Sequence, residues 1–266
     1  INWDGGDINL NSVTLTNQGT FNANASGTIG ATGGGSLVNT GAFNIATSTV
    51  INAIVTNTGT VDIGADATMT VGNVFNQSGG FLNVNDLATM SITGSYSQTG
   101  GVLELFNGGT IDASTLTLDG GQLWGSGTIN ANVVNNGAVI EPGGPGSIDY
   151  LYINGNFTNA ASGTIVVEVD DEAGVYSDEI DINGVADLNG TLTLRAAAGY
   201  SVVDGDEIYP IFYTSATTNT FSTINPILDE IVTPTYYSTE LGILLSYAPV
   251  GYIWTGGGDG VSWNDA

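Results

Sequence analysis

Three short acidic segments in the second half of the chain carry the side chains best suited to chemistry, because carboxylates are the ligands that Ca²⁺ prefers in proteins. None of these segments matches the EF-hand loop or the Gly-Gly-x-Gly-x-Asp nonapeptide. The chain has 26 acidic residues and a single Lys or Arg, so acidic turns without a basic partner that only face solvent are also expected. The sequence therefore leaves two interpretations, solvated turns without a cofactor or bound Ca²⁺. The candidate Ca²⁺ ligands are Asp170, Asp171, Glu172, Asp178, Asp181, Asp204 and Asp206.

The residue types on which most catalytic sites depend are absent or scarce. The chain has no His and no Cys, which excludes Ser–His pairs, thiol nucleophiles and zinc sites built on these residues. A lyase acting on acidic sugars needs basic side chains, and Arg195 is the only one. A glycosidase needs two carboxylates about 5–9.5 Å apart, but no pattern marks such a pair. We therefore predict no enzymatic activity and a structural ion pair for Arg195.

The charge balance limits the partners of the chain. Its formal net charge is −25, whereas binding to nucleic acids or anionic membranes requires a basic surface. We therefore predict that the chain binds neither. No apolar run approaches the ~18 residues of a transmembrane helix, so we predict that the protein is not membrane-embedded. The sequence starts without Met or a signal peptide, which is typical of a mature or excised segment.

The backbone that must position these residues repeats a five-residue phrase, Asn-x-Gly-x-apolar. The phrase reads Asn17–Phe21, Asn39–Phe43 and Asn57–Val61, and looser copies follow. A period near 20 residues, with slack of a few residues, is typical of a solenoid. The marker glycines, 17 to 22 residues apart, are Gly19, Gly41, Gly59, Gly79, Gly100, Gly120 and Gly137.

The segments between the marker glycines predict short strands. Val13–Thr16 and Thr68–Val71, for example, alternate apolar and polar residues, and the first half carries no 3.6-residue apolar stripe. About three such strands per period fit one coil of a parallel β-helix, in which each strand pairs with its equivalent one coil on. We therefore predict an all-β parallel β-helix with about 20 residues per coil. A β-sandwich is the main alternative, but it predicts turns every ~8–12 residues and no recurring phrase.

Each position of the phrase has a predicted role. The glycine supplies either a positive φ or a crowded corner where the coil bends. The apolar residue begins the next inward-facing strand, so Phe21, Phe43, Val61 and Phe81 are expected in equivalent inward positions of successive coils. The Asn either forms a stacked side-chain amide ladder or takes a left-handed turn position, and we favour the turn.

The composition divides the chain into parts. The first 137 residues hold 8 acidic and 8 aromatic residues, and the remaining 129 hold 18 and 15. Longer strands such as Thr164–Val169 and Glu207–Tyr213 predict a more aromatic region that caps the open end of the solenoid. The predicted parts are an N-terminal edge (1–12), the repetitive β-helix (13–137), the C-terminal capping region (138–250) and the start of a further repeat or a linker (251–266).

Several phrases of the second half resemble the autotransporter-associated β-helix repeat. Val133–Gly143 and Leu151–Thr158 carry this resemblance, and Ser177–Gly184 with Ala186–Leu192 is similar to the C-terminal passenger region of such adhesins. The family's usual Pro-Gly-x-Ser-Pro-Gly is replaced here by Pro142–Gly146. The resemblance implies a right-handed parallel β-helix that is exported to the cell surface.

These observations predict a structural or adhesive module of a large secreted protein of the bacterial cell surface or extracellular matrix. Such a module would build a rod or filament. The expected partners are further copies or tandem modules that stack end to end and cover Trp3 and residues 251–266, together with host or matrix glycans. The alternatives are a carbohydrate-binding or carbohydrate-cleaving β-helix, and a phage tail-fibre segment. A groove lined by aromatic residues and paired acids would favour the carbohydrate alternatives, and an intertwined trimer would favour the fibre.

Overall fold

The computed structural model describes residues 1–170, 176–198, 200 and 202–247. Strands make up 64% of the protein, and the described residues contain no helix. The 28 strands are β1 (Asn2–Trp3), β2 (Gly6–Asn11), β3 (Thr14–Asn17), β4 (Thr20–Ala23), β5 (Gly27–Thr32), β6 (Ser36–Asn39), β7 (Ala42–Ile45), β8 (Thr49–Ile51), β9 (Ile54–Asn57), β10 (Thr60–Ile63), β11 (Thr68–Val71), β12 (Phe75–Val84), β13 (Thr89–Ile92), β14 (Tyr96–Leu105), β15 (Thr110–Leu118), β16 (Gln122–Gly125), β17 (Thr128–Asn135), β18 (Val139–Pro142), β19 (Tyr150–Ile153), β20 (Phe157–Asn159), β21 (Thr164–Asp170), β22 (Tyr176–Ser177), β23 (Glu179–Leu188), β24 (Thr191–Ala196), β25 (Asp206–Ala216), β26 (Thr223–Asn225), β27 (Ile231–Tyr236) and β28 (Glu240–Ser246).

The strands wind around three faces, and each strand pairs in parallel with its counterpart one coil on. Face A runs from β2 through β5, β8, β11 and β13, and continues through β15, β17, β19, β23 and β25. Face B begins with β3, β6 and β9, and face C with β1, β4, β7 and β10. The solenoid has about eight turns with a spacing of about 21 residues. The predicted parallel β-helix is confirmed.

The apolar residues of the phrase stack in the core with one exception. Phe21, Phe43 and Val61 are at most 3% exposed and lie opposite one another on face C. Phe81 is 44% exposed, and Leu82 takes the inward position opposite Val61. The prediction for Phe81 is wrong by one residue, because the corner inside β12 contains one residue more than the corners of the earlier coils. A slip of one residue exchanges the two sides of a strand.

The glycines of the phrase lie where successive coils come closest together. A Cβ atom added at Gly59 would lie 2.1 Å from the carbonyl oxygen of Gly41, and one added at Gly41 would lie 2.1 Å from that of Gly19. In the longer β12 the corner glycine is Gly80, where a Cβ would lie 1.9 Å from the Gly59 carbonyl oxygen and where φ is 61°. These corners therefore require glycine chiefly because the backbone of the neighbouring coil leaves no room for a side chain.

The Asn residues of the phrase form a buried side-chain amide ladder. Asn17 Nδ2 donates to Asn39 Oδ1 at 2.7 Å, Asn39 Nδ2 donates to Asn57 Oδ1 at 2.7 Å, and Asn57 Nδ2 donates to Gln77 Oε1 at 2.8 Å. Asn39 Nδ2 also donates to the Thr60 carbonyl oxygen at 2.8 Å. No Asn among the described residues has a positive φ, so the favoured turn interpretation is wrong. The amides instead bond to one another from coil to coil and also donate to backbone carbonyls at the corners.

At the C-terminal end of the described solenoid, the parallel pairing changes to antiparallel pairing. β25 has 11 residues and pairs in parallel with β23 on one side and antiparallel with β28 on the other. β27 then pairs antiparallel with β28. The predicted longer-stranded capping region stays a prediction, since β12 and β14 of the first half have 10 residues each, as many as β23. The parallel pairing itself continues across residue 138, since β16 pairs with β18 and β18 with β21.

The N-terminal edge covers its own tryptophan. Trp3 is 7% exposed, and its ring packs edge-on against Phe21 with 6.1 Å between ring centroids. Gly27 faces the same indole so closely that a Cβ there would lie 2.4 Å from it. The expectation that Trp3 is covered by a neighbouring module is therefore wrong. The matching expectation for residues 251–266 lies outside the described residues.

Candidate functional site

The candidate Ca²⁺ ligands are spread over separate parts of the C-terminal half. Among the described residues, no group of three or more Asp and Glu side chains could hold a metal ion together. Asp171 and Glu172 lie outside the described residues. Of the others, Asp170 ends β21, Asp178 precedes β23, Asp181 lies within β23, Asp204 lies in the turn before β25, and Asp206 begins β25.

Asp204 and Asp206 hold the turn that leads into β25. Asp206 Oδ2 accepts hydrogen bonds from the Tyr200 hydroxyl at 3.0 Å and from the Val203 N–H at 2.7 Å. Asp204 Oδ1 accepts one from the Tyr247 N–H at 3.0 Å. Both carboxylates therefore help to fix the backbone near the cap.

Asp178 is fully buried beside β21. Its two oxygens accept hydrogen bonds from the Asp149 N–H at 2.9 Å and the Glu168 N–H at 2.8 Å. Burial raises the pKa of Asp178 from 3.8 to about 8; the two hydrogen bonds lower it, while the charges of Glu168 and Glu141 add to the rise. Because metal ions bind the deprotonated carboxylate, a carboxyl group that keeps its proton near neutral pH is poorly suited to Ca²⁺.

Arg195, the only cationic side chain of the protein, forms the ion pairs that the sequence predicts. Its Nη1 contacts Glu141 Oε1 directly and lies 3.4 Å from Glu168 Oε1. The register explains the contact, because Glu168 and Arg195 lie opposite each other on β21 and β24. Both glutamate side chains are buried, whereas that of Arg195 is 44% exposed. Burial raises the pKa of Glu141, and Arg195 opposes that rise.

The Gly-Pro turn after β18 covers this ion-pair cluster from outside. Gly146 N–H donates to Glu168 Oε1 at 3.0 Å, and Gly144 lies against the indole of Trp124. Glu168 Oε2 and Trp124 Nε1 are buried without a hydrogen-bond partner among the described residues. Face C continues from β10 through β12, β14 and β16 to β18, β21 and β24. Glu141, Glu168 and Arg195 thus form an ion-pair cluster across three coils of face C, with both glutamates buried, and Arg195 is not left free to neutralise a substrate.

Face A carries an open cleft of about 370 Å³ that combines aromatic and polar side chains. Tyr152, Asp181 and Phe212 lie opposite one another on β19, β23 and β25, in three successive coils. Tyr152 is 44% exposed. The other residues lining the cleft are Asn154, Ile182, Asn183, Tyr213, Thr214 and Thr239. We call this site the face A cleft.

Two carboxylates lie on the outer side of β23: Asp181 lines the cleft, and Glu179 lies next to it outside the lining. Glu179 and Asp181 are two residues apart in the strand and therefore face the same side. Burial raises the pKa of both carboxyl groups, and the charge of Asp181 raises that of Glu179 further. Glu179 in turn raises the pKa of Tyr150, which lies opposite it on β19. The arrangement offers aromatic surface together with oxygens that accept hydrogen bonds from hydroxyl groups.

Of the residues that line the face A cleft, only Asp181 was predicted as a site residue from the sequence, and the aromatic residues were not. The sequence could have shown that Tyr150 and Tyr152 share one side of their strand, and Glu179 and Asp181 one side of theirs, because every second residue of a strand points to the same side. The register that joins Tyr152, Asp181 and Phe212 was not readable, since these residues are about thirty positions apart in coils of unequal length.

No protein-family model matches the chain, and no curated protein matches it either. The resemblance to the autotransporter-associated β-helix repeat therefore stays a prediction. No helix long and apolar enough to cross a membrane occurs in the described part of the chain.

Proposed function

We propose that this chain is a structural and adhesive module of a large secreted protein, located outside the cell at the bacterial surface or in its matrix. The observation that carries the proposal is the uninterrupted ladder of parallel strands, which makes one elongated body with a single continuous core. In such solenoids each coil contacts only its neighbours, so length can be added without changing the fold. The sequence resemblance to autotransporter passenger regions supports the same function.

The interior of the solenoid is suited to a role in which stability matters outside the cell. Without cysteine, the chain has no disulfide bonds, and the buried amide ladder from Asn17 to Gln77 links four successive coils instead. The ladder is cooperative in the sense that each amide both donates and accepts. A net charge of −25 keeps such a rod soluble.

The proposal assigns no catalytic activity to the chain. Arg195 is held by two glutamates, so it does not serve acidic substrates in the way a lyase would require. Asp181 lines the face A cleft, and Glu179 lies beside it on the same side of β23. Cleavage at this pair is the enzymatic alternative, and it is tested below together with binding.

Carbohydrate recognition is a second candidate function that a specific observation favours. The face A cleft has the aromatic residues and neighbouring acids that distinguish the carbohydrate alternative from a bare rod. Adhesion to glycans is compatible with a structural role, because the cleft occupies only the C-terminal coils of face A.

End-to-end stacking is the proposed mode of assembly. Among the described residues, β2 and β3 each pair with one strand, β5 and β6, and strand edges of this kind accept a further strand from a tandem coil or another copy. Repulsion between chains of charge −25 opposes this stacking, and added salt or divalent cations would weaken the repulsion. Static light scattering and electron microscopy, with Ca²⁺ and with chelator, test it. A chain that stays monomeric at every salt concentration would contradict end-to-end assembly.

The surface location is tested on intact producing cells. Antibodies raised against the purified segment are expected to label unpermeabilised cells or their matrix, and protease added outside should remove the label. Labelling that appears only after permeabilisation would contradict the proposed location.

A further inference from the structure

We propose that the face A cleft binds a neutral oligosaccharide, which lies along the axis of the solenoid and stacks on Tyr152 and Phe212. The inference deepens the adhesive function proposed above by assigning its ligand class and its residues. The parallel register gives the site its shape. Tyr152 and Phe212 are two coils apart, a distance of about 10 Å for a strand spacing of about 4.8 Å, with Asp181 between them.

The aromatic part of the cleft is available to a ligand. Tyr152 is 44% exposed and Phe212 is half-buried, on outward positions of one sheet face on either side of Asp181. The outward positions of a solvent-facing sheet are normally polar. In the earlier coils of face A, the positions in register with Tyr152 are Thr89, Thr110 and Thr128. The change from Thr to Tyr therefore converts a solvated strip into a surface on which the apolar side of a sugar ring can stack.

The polar part of the cleft matches hydroxyl groups better than charged groups. Asn154, Asn183, Thr214 and Thr239 are neutral donors and acceptors around it, and Asp181 is the one carboxylate in its lining. A carboxylate accepts hydrogen bonds from sugar hydroxyls, and amide and hydroxyl side chains can both donate and accept them. Sites of this kind fix orientation with a few polar groups on a largely apolar surface.

Charge selects the class of sugar. The chain has one Lys or Arg in total, and that residue, Arg195, is engaged by Glu141 and Glu168 on face C. No side-chain cation is thus left to bind a uronate or a sulfated sugar, and a net charge of −25 repels them. Neutral sugars meet no such penalty. A cationic peptide is the competing occupant, and the test separates the two.

Binding is measured by isothermal titration calorimetry on the purified segment. The probes are maltohexaose, cellohexaose and mannohexaose as neutral sugars, hexagalacturonate as the acidic sugar and hexalysine as the cationic peptide. At least one neutral hexasaccharide should bind with a Kd below about 1 mM at 0.15 M salt, and hexagalacturonate should not bind. Chromatography of the incubated sugars checks for cleavage, and the probes are expected to remain intact.

The variants place the site on the structure. Tyr152→Ala should weaken binding of the neutral sugar about tenfold, and Asp181→Asn should weaken it severalfold. Tyr150→Ala is the matched control, because Tyr150 lies on the same strand and side with 42% exposure but does not line the cleft. It should change binding less than twofold. All three residues are at least partly exposed, and unchanged circular dichroism confirms that the variants fold.

Three results would overturn the inference: no neutral hexasaccharide binds at about 10 mM, Tyr152→Ala and Asp181→Asn weaken the binding of hexalysine but of no sugar, or Tyr150→Ala is as damaging as Tyr152→Ala. None of these results affects the surface labelling of cells, which tests the structural module independently. Shortened products that disappear in Asp181→Asn would instead show that the chain is an enzyme.

Discussion

Replacing Arg195 by Met removes the only cationic side chain of the protein while keeping much of the volume of its aliphatic stem. Two buried glutamates, Glu141 and Glu168, then lose their partner. We expect the variant to fold but to be less stable at neutral pH, because a carboxylate held away from water without a cation or donor is costly.

The size of the effect follows from the burial of the three side chains. Removing one partner of a buried ion pair costs about 3–5 kcal/mol. The side chain of Arg195 is 44% exposed, so solvent screens part of its interaction, and we expect a loss of about 2–3 kcal/mol in the free energy of unfolding. Arg195 opposes the raised pKa of Glu141, so the loss should shrink as Glu141 becomes protonated at acidic pH.

Urea denaturation at pH 7 and pH 5, followed by tryptophan fluorescence, measures the difference. The matched control is the triple variant Arg195→Met, Glu141→Gln, Glu168→Gln, which removes all three charges and should recover most of the stability. A loss below about 0.5 kcal/mol at pH 7, or a triple variant no more stable than the single one, would refute the assignment of a buried ion-pair cluster.

Four further substitutions, one of them a control, test the coils and the buried acid by urea denaturation. Asn39→Leu leaves its ladder neighbours without partners and should cost about 3 kcal/mol; a neutral effect would contradict the amide ladder. Gly59→Ala should cost about 3 kcal/mol or more because its Cβ meets a backbone carbonyl at 2.1 Å, whereas Gly19→Ala, with no atom within 4 Å, should cost less than about 1 kcal/mol. Equal losses at the two glycines would contradict the crowded corner. Asp178, with its pKa raised from 3.8 to about 8, is protonated in the folded chain and ionised in the unfolded chain between these values. Stability should therefore fall by up to about 5 kcal/mol as pH rises from 4 to 8, and an Asp178→Asn variant with the same slope as the wild type would contradict this.

The period of the fold was readable from the sequence because a physical constraint repeats with it. Each coil needs a residue without a side chain where it approaches the coil before, so Gly41 and Gly59 mark the period directly. The inward position predicted for Phe81 was wrong because the corner of β12 contains one extra residue. The phrase Gln-Ser-Gly-Gly-Phe does not show which of its two glycines occupies that corner. Local spacing thus predicts the coil but not its exact register.

The amide ladder and the face A cleft could not be predicted because both depend on contacts between coils. An Asn close to a glycine is typical of a left-handed turn as well as of a side-chain ladder. Only the hydrogen bond of 2.7 Å from Asn39 Nδ2 to Asn57 Oδ1, between two coils, decides between them. Likewise, Tyr152 and Phe212 become neighbours of Asp181 only through coils of unequal length. Pairing of Arg195 with acids, in contrast, was predictable from composition alone, because one cation faces 26 acidic residues.

An in-frame deletion of this segment from its parent gene tests the proposed structural and adhesive function most directly, with attachment of the producing cells to surfaces and to one another as the readout. Antibody to a retained part of the protein controls for export. The deletion is expected to reduce attachment severalfold while growth and the breakdown of extracellular polysaccharides stay unchanged. Unchanged attachment by cells that still export the shortened protein, or loss of a polysaccharide-degrading activity, would contradict the proposed function.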